Sequence, residues 1–301
     1  MSAPTTQVRP TAPVHNADAR QERARRRRKA YDRPGFLTYG LLLAAFVGSS
    51  FPLWWSFVIG SRQASDTNLV PPAVIPGPNF LSNAIRVFET VDFGKALVNS
   101  LMISAAITIS VVFFSTLAGY AFAKLKFKGR GPLLVFIIAT MAVPTQLGVV
   151  PLYLLMAQYG WIDTMQAVIV PALVNAFGVF WMTQYIQQAL PDEIVEAARV
   201  DGAGSFRTFW SISLPIARPA ATMLALFTFV ATWTNFFWPF IVLTPQNPTL
   251  PVALSLLQAN YFVDYSVVLA GVLVATVPLV LLFVVAGKQL VSGIMQGAVK
   301  A

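Results

Sequence analysis

Six stretches of this chain run for about 20 residues or more with no charged side chain: Phe36 to Ile59, Ala96 to Ala123, Pro132 to Ala157, Met165 to Ile186, Pro219 to Leu243 and Tyr265 to Gly287. At ~1.5 Å rise per residue, each is long enough as a helix to cross a ~30 Å hydrocarbon core. Within such a core every backbone N–H and C=O must find its partner inside the protein, and for single segments of this kind the α-helix does that. Composition agrees, because only 11% of residues are charged, against about 25% in an ordinary soluble domain. The expected fold class is an all-α integral membrane protein with six transmembrane helices. Residues 34–290 would form the membrane domain, residues 1–33 a basic disordered tail and residues 291–301 a short second tail. The first stretch, 24 residues long, exceeds the 7–15 residue apolar region of a cleaved signal peptide and is expected to remain as a span.

Orientation follows from the cations between the spans. Eighteen of the 21 Lys and Arg fall in one alternating set of segments, and only Arg62, Arg86 and Lys95 fall in the other. The positive-inside rule therefore puts both termini, the 124–131 loop and the 187–218 loop in the cytoplasm. The Arg23 to Lys29 run and the net charge of +9 could be read as a nucleic-acid footprint. Their place just before the first span instead suits a topology signal touching anionic lipid, and no nucleic-acid partner is expected.

Several chemistries drop out. The chain has no Cys, and its single His15 stands in the polar tail, so neither a metal site nor a thiol or imidazole nucleophile is expected. None of the six stretches contains Asp, Glu, Lys, Arg or His, whereas intramembrane ionisable groups are the usual mark of ion-coupled carriers. No phosphate-cradling Gly-x-x-x-x-Gly-Lys-Ser/Thr occurs. Any nucleotide must be bound by another chain, and energy must enter through a loop.

The longest cytoplasmic loop carries the clearest punctuation. Pro191 suits a first helical turn, Asp192 and Glu193 suit its positive dipole end, and Gly202 suits a left-handed stop, so a short helix is predicted from about Pro191 to Asp201. Ser205 would cap a second helix carrying Phe206, Phe209, Trp210 and Leu214, lying on the membrane surface and limited by Pro215. Small residues Ala197 and Ala198 before Gly202 make a surface that a partner can approach closely. A hairpin that merely joins two spans is the plain alternative.

Glu196-Ala197-Ala198, Gly202, Ile212 and Leu214-Pro215, at their spacings and in this loop, resemble the signature of permease subunits of bacterial ATP-binding-cassette importers. The resemblance runs from about Phe36 to the end and is nearest to the maltose-type carbohydrate permeases. It includes Pro151-Leu152-Tyr153, Tyr159 to Thr164, Trp233 to Pro239 and the Gln289 to Ala301 tail. It implies a type I importer fold whose loop forms coupling helices. Glu196 would then meet a polar or basic group of an ATPase, Ala197 and Ala198 would enter its cleft, and Gly202 would supply the turn. Gly293, Gly297 and Lys300 would be tail contacts to the ATPase pair. The implied partners are a second permease, two ATPase subunits or domains using ATP and Mg, an extracytoplasmic substrate-binding protein and membrane lipid. No cofactor is expected on this chain.

For the solute path, a sugar needs hydroxyl-pairing amides and aromatic faces. Gln146, Asn175 and Asn235 are amides within the spans, with Trp233, Phe236, Phe237 and Trp238 around the last. Interhelical packing for the amides and an interfacial belt for the aromatics are the bland readings. Glycerol phosphate or another small polar solute, or a scaffold docking an ATPase without transport, remain alternatives. Outside the membrane, residues 60–95 read as a linker leading to a surface helix around Leu81 to Glu89, and the Pro-rich 244–264 loop as a rigid segment facing a binding protein.

Overall fold

The computed structural model describes residues 35–68, 73–259 and 262–298, and the described residues contain helices and turns but no strand. Two compact units divide between Trp54 and Trp55. The described part of the first is the leading portion of α1 (Phe36–Gly60), where Phe36, Leu37, Leu41 to Leu43, Phe46 and Val47 are all exposed. Large apolar side chains in that position suit lipid rather than water as their solvent.

The second unit continues with α2 (Phe80–Thr90), α3 (Phe93–Lys124), α4 (Arg130–Thr140), α5 (Val149–Gln158), α6 (Met165–Ile169) and α7 (Ala176–Ala189). It goes on through α8 (Asp192–Val200), α9 (Ser205–Thr208), α10 (Leu214–Trp233), α11 (Phe237–Val242), α12 (Leu250–Leu256) and α13 (Tyr265–Ala298). Among the described residues five helical runs are long and apolar enough to span a membrane, or six if the bent pair around residue 142 counts as one.

Three expectations are corrected. The third stretch is no straight rod: α4 and the Thr145–Gln158 segment meet at 88°. Pro144 has no N–H and disfavours helical geometry in the residue before it, which ends the first half. The fifth stretch stops at Trp233 and resumes at Phe237 as α11. Pro215 does not limit the second loop helix. Instead α9, a π turn at Phe209–Ser213 and α10 form one continuous helix from Ser205 to Trp233. The widened turn lies directly before the proline, where the regular i→i−4 ladder loses its donor.

α3 is the central element, packed against α7 and α10. Its Ile103, Ile107, Val111 and Tyr120 join Met182, Ile186, Phe209 and Leu224 in the larger core, while Phe93 and Ala96 join Val87, Trp233, Leu250 and Ala270 in a second. Dispersion and close packing hold such helices together where lipid offers no hydrophobic drive, and small residues set the distance. Gly119 is one such close approach. A Cβ added there would stand 2.7 Å from the Met182 Cβ and 2.8 Å from its carbonyl carbon.

That approach makes the first prediction. Gly119→Leu should destabilise the purified protein by about 1–3 kcal/mol, as overpacking does, with Gly119→Ala intermediate. Thermal unfolding in detergent measures it, and an unchanged midpoint for the Leu variant would show that α3 and α7 do not meet so closely.

Candidate functional site

At the far end of α3 the 190–215 loop forms a helical hairpin. α8 closes through two bonds, Gly202 N–H to the Arg199 carbonyl (3.0 Å) and Ala203 N–H to the Ala198 carbonyl (2.9 Å). This pairing satisfies the last carbonyls of the helix and needs a left-handed residue at its centre. Gly202 supplies it, with φ of 76°. Val195 and Ala198 face inward, whereas Glu196, Ala197, Arg199 and Val200 face out. Of the two signature alanines, then, Ala197 is exposed and Ala198 is buried within the chain. Ile212 and Leu214 pack on the larger core and Pro215 is exposed.

One ion pair ties this hairpin to α3. Lys124 Nζ lies 2.6 Å from Asp192 Oδ1, with the lysine side chain 4% exposed and the aspartate 77%. The Lys124 hydrogen bond, then its charge, with Lys126 and Arg130 behind, holds the Asp192 carboxyl below the usual carboxylate range. A carboxyl depressed by folding contributes stability that is present above its unfolded value near 4 and is lost as pH falls through the folded value. The lock is therefore intact through neutral pH and opens only in acid.

Beside Ile107 in the middle of α3, three interruptions converge. The 141–148 bend, the 170–175 break before α7 and the 234–236 break after α10 all line one cavity of about 760 Å³. Irregular backbone at membrane depth is tolerated where it borders such a space. Thr145, Gln146, Asn175, Thr228, Thr232 and Asn235 present polar groups to it, and no acidic, basic or His residue is among its lining. Asn175 Oδ1 caps α7 by accepting the Gly178 N–H, leaving its amide NH2. Trp238 donates its indole N–H to the Ala167 carbonyl at 2.9 Å and so shows the cavity an apolar ring.

At the opposite end of α3 a second polar lock secures the 244–250 segment. Asp163, at a left-handed φ of 62°, accepts the Thr244 N–H and hydroxyl, each at 2.9 Å, and the Asn247 amide at 3.1 Å. Its own N–H donates to the Val242 carbonyl. From α3, Lys95 donates to the Gln246 carbonyl and Asn99 to that of Pro248, while Ser100 accepts the Leu250 N–H. Burial pushes the Asp163 carboxyl up, but the Thr244 and Asn247 hydrogen bonds and the Lys95 charge outweigh it and hold it low.

Of the residues singled out for a solute path, Gln146, Asn175, Asn235, Phe237 and Trp238 meet at the cavity, from segments far apart in the chain. Trp233 and Phe236 are not among its lining. Trp233 is buried in the second core with its N–H on the Ala275 carbonyl, and Phe236 stacks on Phe240. Gly293 and Gly297 belong to the helical backbone of α13, and Lys300 and residues 1–34 lie outside the described residues. Sequence reasoning missed both locks. Asp192 was read only for its helix end, and the one hint for Asp163 was a lone carboxylate in a short loop.

Residues 112–289 match the model of the family described as binding-protein-dependent transport system inner membrane component. An arabinooligosaccharides transport system permease protein, AraQ of Halalkalibacterium halodurans, is 32% identical over 88% of this chain and 95% of its own. A lactose transport system permease protein, LacG of Rhizobium radiobacter, is 33% identical over 89% of this chain and 97% of its own. Among solved structures, a chain of a bacterial ABC transporter that imports the acidic polysaccharide alginate superposes with a TM-score of 0.70 at 22% identity, covering 84% of this chain and 95% of that one.

Two outcomes test the locks. Asp192→Asn strips a counter-charge from a buried ammonium, whereas Lys124→Met frees a carboxylate already in solvent, so the Asn variant should have the lower thermal midpoint. Equal midpoints would remove the pair from the account. Asp163→Ala should cost about 2 kcal/mol through lost charge-assisted bonds, while Asp163→Asn, which tolerates the left-handed backbone and keeps the Thr244 bonds, should cost less. The same thermal measurement decides, and a harmless Ala variant would refute the clamp.

Proposed function

The chain belongs to the family of binding-protein-dependent transport system inner membrane components, and from that premise we propose that it forms part of the path by which an ATP-driven importer carries a sugar or oligosaccharide into the cell. It is a transport subunit and not an enzyme, and ATP is hydrolysed by separate chains. Names of relatives that move arabinooligosaccharides and lactose support the cargo class. The charge-free cavity lining supports it too, since neutral hydroxyl-rich solutes are matched by amides, hydroxyls and aromatic faces.

The observation that carries the mechanism is the unbroken helix from Ser205 to Trp233. Its first turns belong to the hairpin and its last turns line the cavity through Thr228, Ala231 and Thr232. A helix transmits displacement along its length, here about 40 Å at ~1.5 Å per residue. In the proposed arrangement an ATPase seats against the exposed face of α8, touching Glu196 and Ala197, and its nucleotide-driven movement tilts α10. The Lys124–Asp192 pair makes the hairpin move with α3 as well. A second permease would complete the cavity, and a binding protein would deliver the sugar at the 244–250 end. Both termini and the hairpin then face the cytoplasm of a cell whose inner membrane holds the assembly, with the C-terminal part of α13 available as a further ATPase contact.

Reconstitution of the chain with its partner permease, ATPase and binding protein tests this. Gln146→Leu or Asn235→Leu should leave assembly intact and weaken sugar-stimulated ATP hydrolysis and uptake about 5–10-fold, the worth of about one hydrogen bond. Gly202→Ile should lose ATPase retention, because a β-branched side chain resists the left-handed turn, while Gly202→Asn should keep it. Uptake unaffected by both cavity variants would move the solute path elsewhere in the assembly.

A further inference from the structure

The short helix α2 has three faces. One is pinned to the protein: Val87 is fully buried in the second core, and the buried Asn83 amide donates to the carbonyls of Gly60 (2.9 Å) and Arg62 (2.7 Å). A second is polar and exposed, with Ser82, Arg86 and Glu89, of which Arg86 reaches Asp264 at 2.8 Å. The third is apolar and exposed. Leu81, Ile85 and Phe88, at spacing i, i+4 and i+7, are 72%, 52% and 49% exposed. Because Asn83, Val87 and Arg86 fix the roll of the helix, that stripe cannot turn inward.

Position limits what can cover it. Only Val91 and Asp92 separate α2 from α3, and Asp92 caps α3 through the Lys95 N–H. Two residues reach no more than about 7 Å per pair of extended steps, so α2 sits where the chain enters its membrane span. The Phe88 ring also meets that of Phe93, the first residue of α3, at 5.1 Å. The first turns of α3 expose Val98, Leu101 and Met102, so apolar surface continues from the short helix to the spanning one. An apolar stripe beside a polar one, at the level of a span's end, is the design of a helix lying in the membrane interface.

We infer that α2 is an interfacial helix whose Leu81–Ile85–Phe88 stripe is seated in the lipid leaflet on the side opposite the coupling hairpin. The inference rests on the membrane-transport reading above. In this role α2 braces the end of α1 against the bilayer through Asn83 and, through Arg86 and Asp264, the start of α13.

The absence of cysteine in the chain makes the test direct. The single substitutions Leu81→Cys, Ile85→Cys and Phe88→Cys, Ser82→Cys and Glu89→Cys, and Ile109→Cys in the middle of α3 are each spin-labelled in the full transporter reconstituted in liposomes. Relaxation by oxygen, which concentrates in lipid, is compared with relaxation by a water-soluble nickel chelate. The expected pattern is oxygen dominance at 81, 85 and 88, with nickel dominance at 82 and 89. Exclusion of both reagents at the stripe would mean that a protein partner covers it, and nickel dominance at all five that it faces water; either overturns the inference. The label at 109 separates the two levels of argument. If it excludes nickel while the stripe does not, only the interfacial helix fails; if it admits nickel, α3 does not span as read.

Discussion

Backbone hydrogen bonding in a solvent that offers none is the constraint on which the rest of this structure depends. Apolar runs such as Phe93–Lys124 and Tyr265–Ala298 become unbroken helices because no other single-segment arrangement pairs every amide in hydrocarbon. Where the ladder is broken, the released groups need somewhere to go. The bend near Pro144, the break before Ala176 and the break after Trp233 therefore do not scatter over the lipid face. They gather around one cavity, lined by polar groups such as Gln146, Asn175 and Asn235. The same constraint that forces the fold to be helical thus gathers its breaks at one cavity, the place proposed above for the solute path.

Movement in such a scaffold depends on which parts are tied together. α3 is held at one end to the hairpin by a buried lysine and at the other to the 244–250 segment by Lys95, Asn99 and Ser100, with Asp163 reinforcing the second attachment. Both attachments are charge-assisted or multiply hydrogen-bonded, the kind that keep their geometry under load. Between them the Gly119 contact with Met182 leaves α3 and α7 no slack. In the proposed mechanism these ties would carry displacement of the hairpin as rigid-body motion of α3 and α10. The π turn at Phe209–Ser213 is an irregularity on that path, and it lies beside the larger core, where Phe209 is fully buried.

Much of this was legible before any coordinates. Apolar length and the Lys/Arg imbalance imply a multi-span helical protein because they act through local physics, segment by segment. Gly202 announced its left-handed turn because only the backbone of one residue decides it, and φ of 76° agrees. Gln146, Asn175 and Asn235 stood out because an amide in an apolar run needs a partner. Their convergence on one cavity was not legible, since nothing in the sequence says that residues so far apart share a wall.

The misreadings have the same origin. Trp233 looked like its aromatic neighbours in sequence, yet the helix phase of α10 turns it to the second core and its N–H to Ala275. Pro215 looked like a stop, but a π turn supplied by the preceding residues lets the helix pass. Lys124 and Asp192 are 68 positions apart, and only the packing of α3 against the hairpin makes them a pair. Sequence by itself determined which segments are helical and apolar, because the period and the solvent act along the chain. Tertiary structure alone decided which polar groups meet, because that depends on the relative phase and depth of helices packed side by side.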